Sequence, residues 1–516
     1  MTRVGPKVDH PGVGAAVRTQ PSPRVPPHLL DNTAVAFCLV ASAGLTAYAL
    51  AVSSPTAALW STLIVFGALL FWSVRHPGRG TPLLFYLLAA FTFLVGRIAV
   101  TGILGFQATS QQPWGLHVSD PDAVTEVLVM VQVFLVCVFV PVAYHSGRSA
   151  RRIHAAGTPA IRADKIGAVV GLGAMAVGSP LFLENRLSVV GAVSSSSYSD
   201  FYLSQSELVS PTGRLGDALL LVGFAFLLAS WPTWRMFLVG SLIIVTCHGV
   251  DLVMGRRADF VLTALLVAFY AVFRAGQRVV HRGVRVGWPS RRTLALLSLL
   301  AIPFITLLDA VGNSRNQVGA ASAQEHTNPL LQFFFDQGVT ANILGFVQAD
   351  MLDIPEDRIY SVGPLVEFVQ TRLVPGFDDS LYASQTAARA LEGHQFADLV
   401  SYQFMPTAYL QGSGYGSSAV AELFVDFGWP GIIIGGAIIG LLLVCSARVL
   451  DFSVPVSAFF LLVFRDLLYT PRAPFLHWLV GSLNVFNIAA LVLVFCTWRV
   501  ASGLARGRRL TVGSAA

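Results

Sequence analysis

AVTEVLVMVQVFLVCVFVPVAY, residues 123–144, decides the fold. Within it only Glu126 carries a charge, and the apolar residues follow neither the alternation of a half-buried strand nor the spacing of a helix with one wet face. A segment that is apolar all round needs apolar surroundings all round. At about 1.5 Å of rise per residue it is long enough to cross a hydrocarbon layer of about 30 Å. There every backbone N–H and C=O must be bonded internally, which a helix achieves.

Segments of the same kind recur on both sides, near 33–52, 56–74, 82–104, 165–183, 215–231, 235–254, 258–273, 293–310, 418–446, 453–470 and 476–498. The composition agrees: 54% of the 516 residues are hydrophobic, 12% are charged, and the mean hydropathy is +0.66. A soluble domain carries about 25% charged residues, so a water-facing surface cannot be built from this chain. The expected fold class is all-α, a polytopic transmembrane helix bundle of about twelve spans.

Basic residues in short loops stay cytoplasmic. With the amino terminus inside, the inner segments hold 23 of the 34 basic residues, including Arg75 and Arg79, five residues between 148 and 165, six between 274 and 292, and four between 499 and 509. Twelve crossings with both termini cytoplasmic is the simplest reading. The net charge of +6 then belongs to the inner leaflet and predicts no nucleic-acid partner. Residues 1–30 contain six prolines and no apolar run, which predicts a disordered cytoplasmic tail without a signal peptide; residues 501–516 form a second inner tail. The five cysteines lie singly in apolar stretches and predict neither disulfide nor metal site. HExxH, CxxC and P-loop motifs are absent, as is a clear internal repeat, so no metal or cofactor is expected.

The expected organisation is spans one to nine over 31–310, an extracytoplasmic loop over 311–417 and spans ten to twelve over 418–500. The loop carries eleven acidic residues against four arginines. A connection of that length is commonly functional, and short helices are expected near 328–349 and 380–392. Eleven arginines fall outside the inner segments, and charges at membrane depth mark a pathway, a pair or a ligand. Arg256 and Arg257, in VMGRRADF, stand where the eighth span starts outside. Helix dipole, free N–H groups and two guanidiniums there suit a phosphate or diphosphate, unless Asp251 and Asp259 pair with them. Arg465, in LLVFRDLLYT, is a ligand candidate; a pair with Asp466 is a poor explanation because adjacent residues on a helix do not face each other, although a carboxylate on another helix could hold it. Arg315 and Arg472 are further candidates that could equally be interfacial arginines. Arg97 is expected to satisfy an acid or a carbonyl inside the bundle.

Candidate proton acceptors are His394, in the loop, and Glu422, in GSGYGSSAVAELFVDFGWPG. Gly412, Gly414 and Gly416 permit close backbone approach, and Ser417 or Ser418 can cap the following helix. Glu422 could equally be an acid stabilised by the helix dipole.

The run GYGSSAVAELFVDFGWPGIIIGGAIIG resembles the carboxy-terminal signature of bacterial Wzy-type O-antigen and oligosaccharide repeat-unit polymerases. GRRADFVL, DQGVTANILGF and the span with Arg465 resemble the same family in order and spacing, over roughly residues 240–500. The paired Arg-x10-Gly loop motifs of some members are missing: eleven residues beyond Arg315, Arg358, Arg372 and Arg389 stand His326, Val369, Ala383 and Val400.

The resemblance implies a GT-C-like membrane glycosyltransferase in the bacterial cytoplasmic membrane. It would join undecaprenyl-diphosphate-linked oligosaccharides on the outer face, with inversion at the anomeric carbon and undecaprenyl diphosphate leaving. A flippase and a chain-length regulator would be its partners. The expected site then has Arg256, Arg257, Arg315, Arg465 and Arg472 on the diphosphate, and Glu422 and His394 as proton acceptors. An O-antigen ligase-like transferase and a lipid-linked oligosaccharide flippase are the rival readings.

Overall fold

The computed structural model of the chain describes residues 27–106, 113–156, 161–194, 210–253, 257–277, 279–281, 284–285, 287–298, 328–450 and 452–513. Helices dominate. In chain order they are α1 (Pro27–Ala51), α2 (Pro55–Arg75), α3 (Thr81–Ala90), α4 (Gly96–Leu104), α5 (Pro121–Ala156), α6 (Lys165–Ser194), α7 (Pro211–Ala229), α8 (Trp234–Val253), α9 (Arg257–Ala275) and α10 (Arg291–Ser298). Then follow α11 (Pro329–Gln337), α12 (Ala341–Gln348), α13 (Gly363–Leu373), α14 (Ala387–Glu392), α15 (Phe396–Phe404), α16 (Pro406–Leu410), α17 (Ala419–Val449), α18 (Val454–Leu467), α19 (His477–Ser482) and α20 (Val485–Gly513). A π turn, Phe91–Val95, joins α3 to α4 as one membrane-length rod. A three-stranded sheet of β1 (Ile161–Arg162), β2 (Val279–His281) and β3 (Val284–Arg285) is the one departure from an all-helical chain among the described residues.

Twelve helical segments among the described residues are long and apolar enough to cross a membrane. Eleven coincide with predicted spans. The twelfth, Pro329–Gln348, is the segment read from sequence as short loop helices, α11 and α12. Most of the predicted ninth span, 293–310, lies outside the described residues.

The even-numbered turns gather on one face. Arg79 donates to the Ser146 carbonyl at 2.8 Å, β1 pairs with β2 in parallel, Trp231 Nε1 donates to the Leu450 carbonyl at 3.2 Å, and Trp498 Nε1 donates to Asp164 at 2.7 Å. These contacts join the turns after the second, fourth, sixth, eighth and tenth spans with the end of the last, as strict alternation requires. This is the face that carries the arginine-rich loops. The segment α11–α12 belongs to the opposite half: Phe334 packs on Phe91, Gln337 is bonded by Arg472, and Asn342 accepts the His117 N–H at 2.8 Å.

Two packing devices position that opposite face. Along α6 and α7, Gly171, Gly178, Gly213, Gly216 and Gly223 bring the backbones so close that a Cβ at Gly171 would stand 2.7 Å from the Gly223 carbonyl, and one at Gly178 2.8 Å from that of Gly216. Small residues allow such approach in apolar surroundings, where close packing drives helix association. The antiparallel register sets Arg186 of α6 beside Asp217 of α7. The second device is a break in α17 at Gly428, whose φ of 61° and ψ of −146° suit only glycine, followed by Pro430. It separates a leg, Ala419–Phe427, from the longer membrane rod, which runs parallel to α5 with Gly436 against Phe134 and Gly440 against Val138.

Between α12 and α17, helices α13 to α16 form a lobe. Asp426, at the end of the α17 leg, accepts the backbone N–H groups of Tyr360 and Ser361 at 2.9 and 2.6 Å and fastens the lobe to the bundle.

Candidate active site

On the arginine-poor face, the ends of five helices bring charged side chains together. Arg465, in the last turn of α18, donates Nη2 to Asp259 in the first turn of α9 at 2.6 Å and Nη1 to Asp466 at 2.9 Å. Its Nε has no hydrogen-bond partner among the described residues. The expectation that Arg465 and Asp466 do not pair is overturned. The helix ends at Leu467, so the pair sits in the last turn, where the rule that neighbours on a helix do not face each other, drawn from helix interiors, does not hold. Asp466 interacts in turn with His477, at the start of α19, whose ring lies 6.0 Å from that of Tyr469.

A second group adjoins the first. Arg186 Nε stands 2.9 Å from Asp251 Oδ1, and its Nη2 stands 3.9 Å from Asp217 Oδ2. Asp251 Oδ2 is 3.0 Å from His248 Nδ1. Asp217 lies within electrostatic range of Asp259 and Arg465, which joins the two groups. Among the described residues the partners of Asp251 and Asp259 are Arg186 and Arg465; the alternative weighed for them, pairing with Arg256 or Arg257, involves side chains outside the described residues. Arg186 and Asp217 are given no role by the sequence, although LENRL and GRLGDALL place charges near span ends, which is the signal that could have found them; His248 is one of the histidines that the sequence places near the outer mouth.

The described part of this cluster sets two arginines against four aspartates. An anionic ligand here requires further cations. Arg257 opens α9, two residues before Asp259; its side chain, Arg256 and Arg315 lie outside the described residues.

Arg472 lies in a further layer. Its Nη1 donates to the carbonyl and Oε1 of Gln337 at 3.3 and 3.1 Å, and its guanidinium is 5.7 Å from the Phe93 ring centre. The expectation for Arg97 holds: it is buried, donates to the carbonyls of Gly115 and Phe335, and stacks 3.7 Å from the Phe335 ring centre.

The two predicted proton acceptors sit elsewhere. Glu422 is fully buried; Oε1 accepts the Ser417 hydroxyl at 2.5 Å and Oε2 accepts the Phe475 N–H at 2.8 Å. Ser417 thus serves Glu422, and Ser418, the helix-capping residue of α17, makes no side-chain cap bond. His394 belongs to the lobe. Its N–H bonds Glu367 at 3.1 Å, and its Nδ1 has no partner among the described residues. Around it, Arg389 pairs with Asp398 at 2.8 Å, burial raises the Glu367 carboxyl above its usual range, and burial pushes the Tyr360 hydroxyl up to about 12. No group of three or more potential metal ligands occurs among the described residues.

Comparisons with characterised protein sequences and with solved structures give no significant match. A family model described as O-antigen polysaccharide polymerase Wzy matches residues 34–503. That match covers nearly all of the helical chain, so the protein belongs to the O-antigen polysaccharide polymerase Wzy family.

Proposed function

We propose that the protein joins undecaprenyl-diphosphate-linked oligosaccharide repeat units at the extracytoplasmic face of the bacterial cytoplasmic membrane, with undecaprenyl diphosphate as the leaving group. The observation that carries this reading is the meeting of α18 and α9 through Arg465 and Asp259 at 2.6 Å. It fixes the first turn of α9, which Arg257 opens, and the N-terminus of a helix carries positive potential. A departing diphosphate gains negative charge, and fixed guanidiniums stabilise that charge more in the transition state than in the substrate.

The pairings divide the arginines by task. Arg465 is held by two carboxylates and serves chiefly as the post that anchors the first turn of α9, with Nε left to donate. The further cations that the aspartate excess demands would come from Arg256, Arg257 and Arg315, while Arg472 bonds Gln337 in the adjoining layer. Glu422 has both oxygens occupied and His394 belongs to the lobe, so neither is assigned the proton here.

Full-length protein in liposomes, supplied with polyprenyl-diphosphate-linked repeat units, tests the reading. A ladder of lengthening glycans is expected. Product that appears only when a different acceptor is added would identify a ligase, and intact donor moved to the other leaflet would identify a flippase.

A further inference from the structure

We propose that Asp217 is the group that takes the proton from the acceptor sugar hydroxyl, an inference that rests on the polymerase reading above. Of the four clustered aspartates, Asp251, Asp259 and Asp466 each have a cation or imidazole at 2.6–3.0 Å, whereas among the described residues the cation nearest Asp217 is Arg186 at 3.9 Å. A carboxylate whose lone pairs are taken by guanidinium N–H groups is a weak base; one compensated only at a distance keeps them for a substrate proton. Asp217 is also open to a ligand, with 42% of its side chain exposed against 0% for Asp251 and 10% for Asp466. Asp259 is as open, at 43%, but Arg465 grips it at 2.6 Å.

A separate observation points to a ligand at the same place. His248 is 2% exposed, its Nδ1 faces Asp251, and its Nε2 has no partner among the described residues. This imidazole lies within electrostatic range of Asp217. A buried ring nitrogen left unbonded is costly. A sugar, rich in hydroxyl donors and acceptors, is the ligand class that answers both the open carboxylate and the ring nitrogen.

In the step, the acceptor hydroxyl oxygen bonds the anomeric carbon of the donor as the anomeric C–O bond to the diphosphate breaks. The bonding pair leaves on the diphosphate oxygen, and the hydroxyl proton passes to Asp217, which ends the step as a neutral acid. Among the described residues, the charged and titratable groups facing Asp217 are Arg186 of α6, His248 and Asp251 of α8, Asp259 of α9 and Arg465 of α18, with Arg214 one turn earlier on its own helix.

The test is Asp217→Asn in the reconstituted full-length protein. Unit joining is expected to fall by at least about 100-fold, the acidic limb of the pH–rate profile to flatten, and binding of undecaprenyl diphosphate to persist. A rate close to wild type overturns the assignment, as does a loss of lipid binding with an unchanged pH profile in the residual activity. Should the Asn variant fail to accumulate in membranes, Asp217→Glu replaces it: a slower reaction with a displaced acidic limb supports the proposal, and an unchanged rate and limb overturns it. If the wild-type protein itself joins no units, the polymerase reading fails and takes this inference with it, a result distinguishable from failure of Asp217 alone.

Discussion

Glu422 offers the sharpest separation between a structural and a chemical role. Its carboxylate is fully buried and ties two chain segments together, accepting the Ser417 hydroxyl at 2.5 Å and the Phe475 N–H at 2.8 Å. Replacement by alanine leaves both donors unbonded in a site without water access, at about 1–3 kcal/mol for each group. Because a hydroxyl can rotate to seek another acceptor, the lower half of that range applies to Ser417, and a total loss of about 2–5 kcal/mol is expected for Glu422→Ala. Glutamine behaves differently. Its carbonyl oxygen keeps the Phe475 bond, its NH2 group donates to a rotated Ser417, and the expected cost is below about 1 kcal/mol. Both variants would be compared in lipid nanodiscs by thermal unfolding and by unit joining. The account predicts a destabilised Ala variant and a Gln variant that is stable and active. A stable Gln variant slower by about 10²–10⁴-fold, the contribution of a general base, would refute the fastening role and return Glu422 to the chemistry.

Arg186→Ala should destabilise the bundle by about 3–5 kcal/mol, because it leaves the fully buried Asp251 without its cation; chemical unfolding in detergent reads this, and a loss below about 1 kcal/mol would contradict the buried pairing. Asp426→Ala removes the acceptor of the Tyr360 and Ser361 N–H groups, so limited proteolysis should cut within 349–418 faster while the membrane helices stay intact; unchanged cleavage would show that the lobe is held otherwise. Glu367 titrates above its usual value because burial disfavours the carboxylate. The native lobe then holds the proton more tightly than the unfolded chain, and its stability falls as pH rises from the unfolded pKa through the raised native one. Glu367→Gln should abolish that decline, measured as lobe protection from protease across pH 4–8, and a decline persisting in the variant would assign it to another group.

The membrane bundle was legible because apolar length is a property of single segments. Residues 123–144 need no partner to be read, and the alternation of arginine-rich loops predicted which turns share a face; the contacts Arg79–Ser146 and β1–β2 meet that expectation. Segment 329–348 was legible as helix, while its seat against Phe91 and Arg97 depends on the fold of distant spans. The charge pairings were the least legible. Among the described residues the partners of Asp251 and Asp259 are Arg186 and Arg465, 65 and 206 positions away. Only tertiary packing, here the glycine-lined contact of α6 with α7 and the convergence of α18 on α9, brings such distant positions together. The neighbour rule misled at Arg465 and Asp466 because it describes a helix interior, whereas this pair sits where the helix stops.

The central claim is that a lipid diphosphate leaves from the cluster at the start of α9. Its most direct test follows the release of undecaprenyl diphosphate and glycan length together, in liposomes containing wild-type protein or Arg257→Ala. The account predicts one lipid diphosphate freed for each repeat unit joined by the wild type, and loss of both signals in a variant that still folds. Glycan growth at the wild-type rate in Arg257→Ala, or growth without lipid diphosphate release, would contradict it.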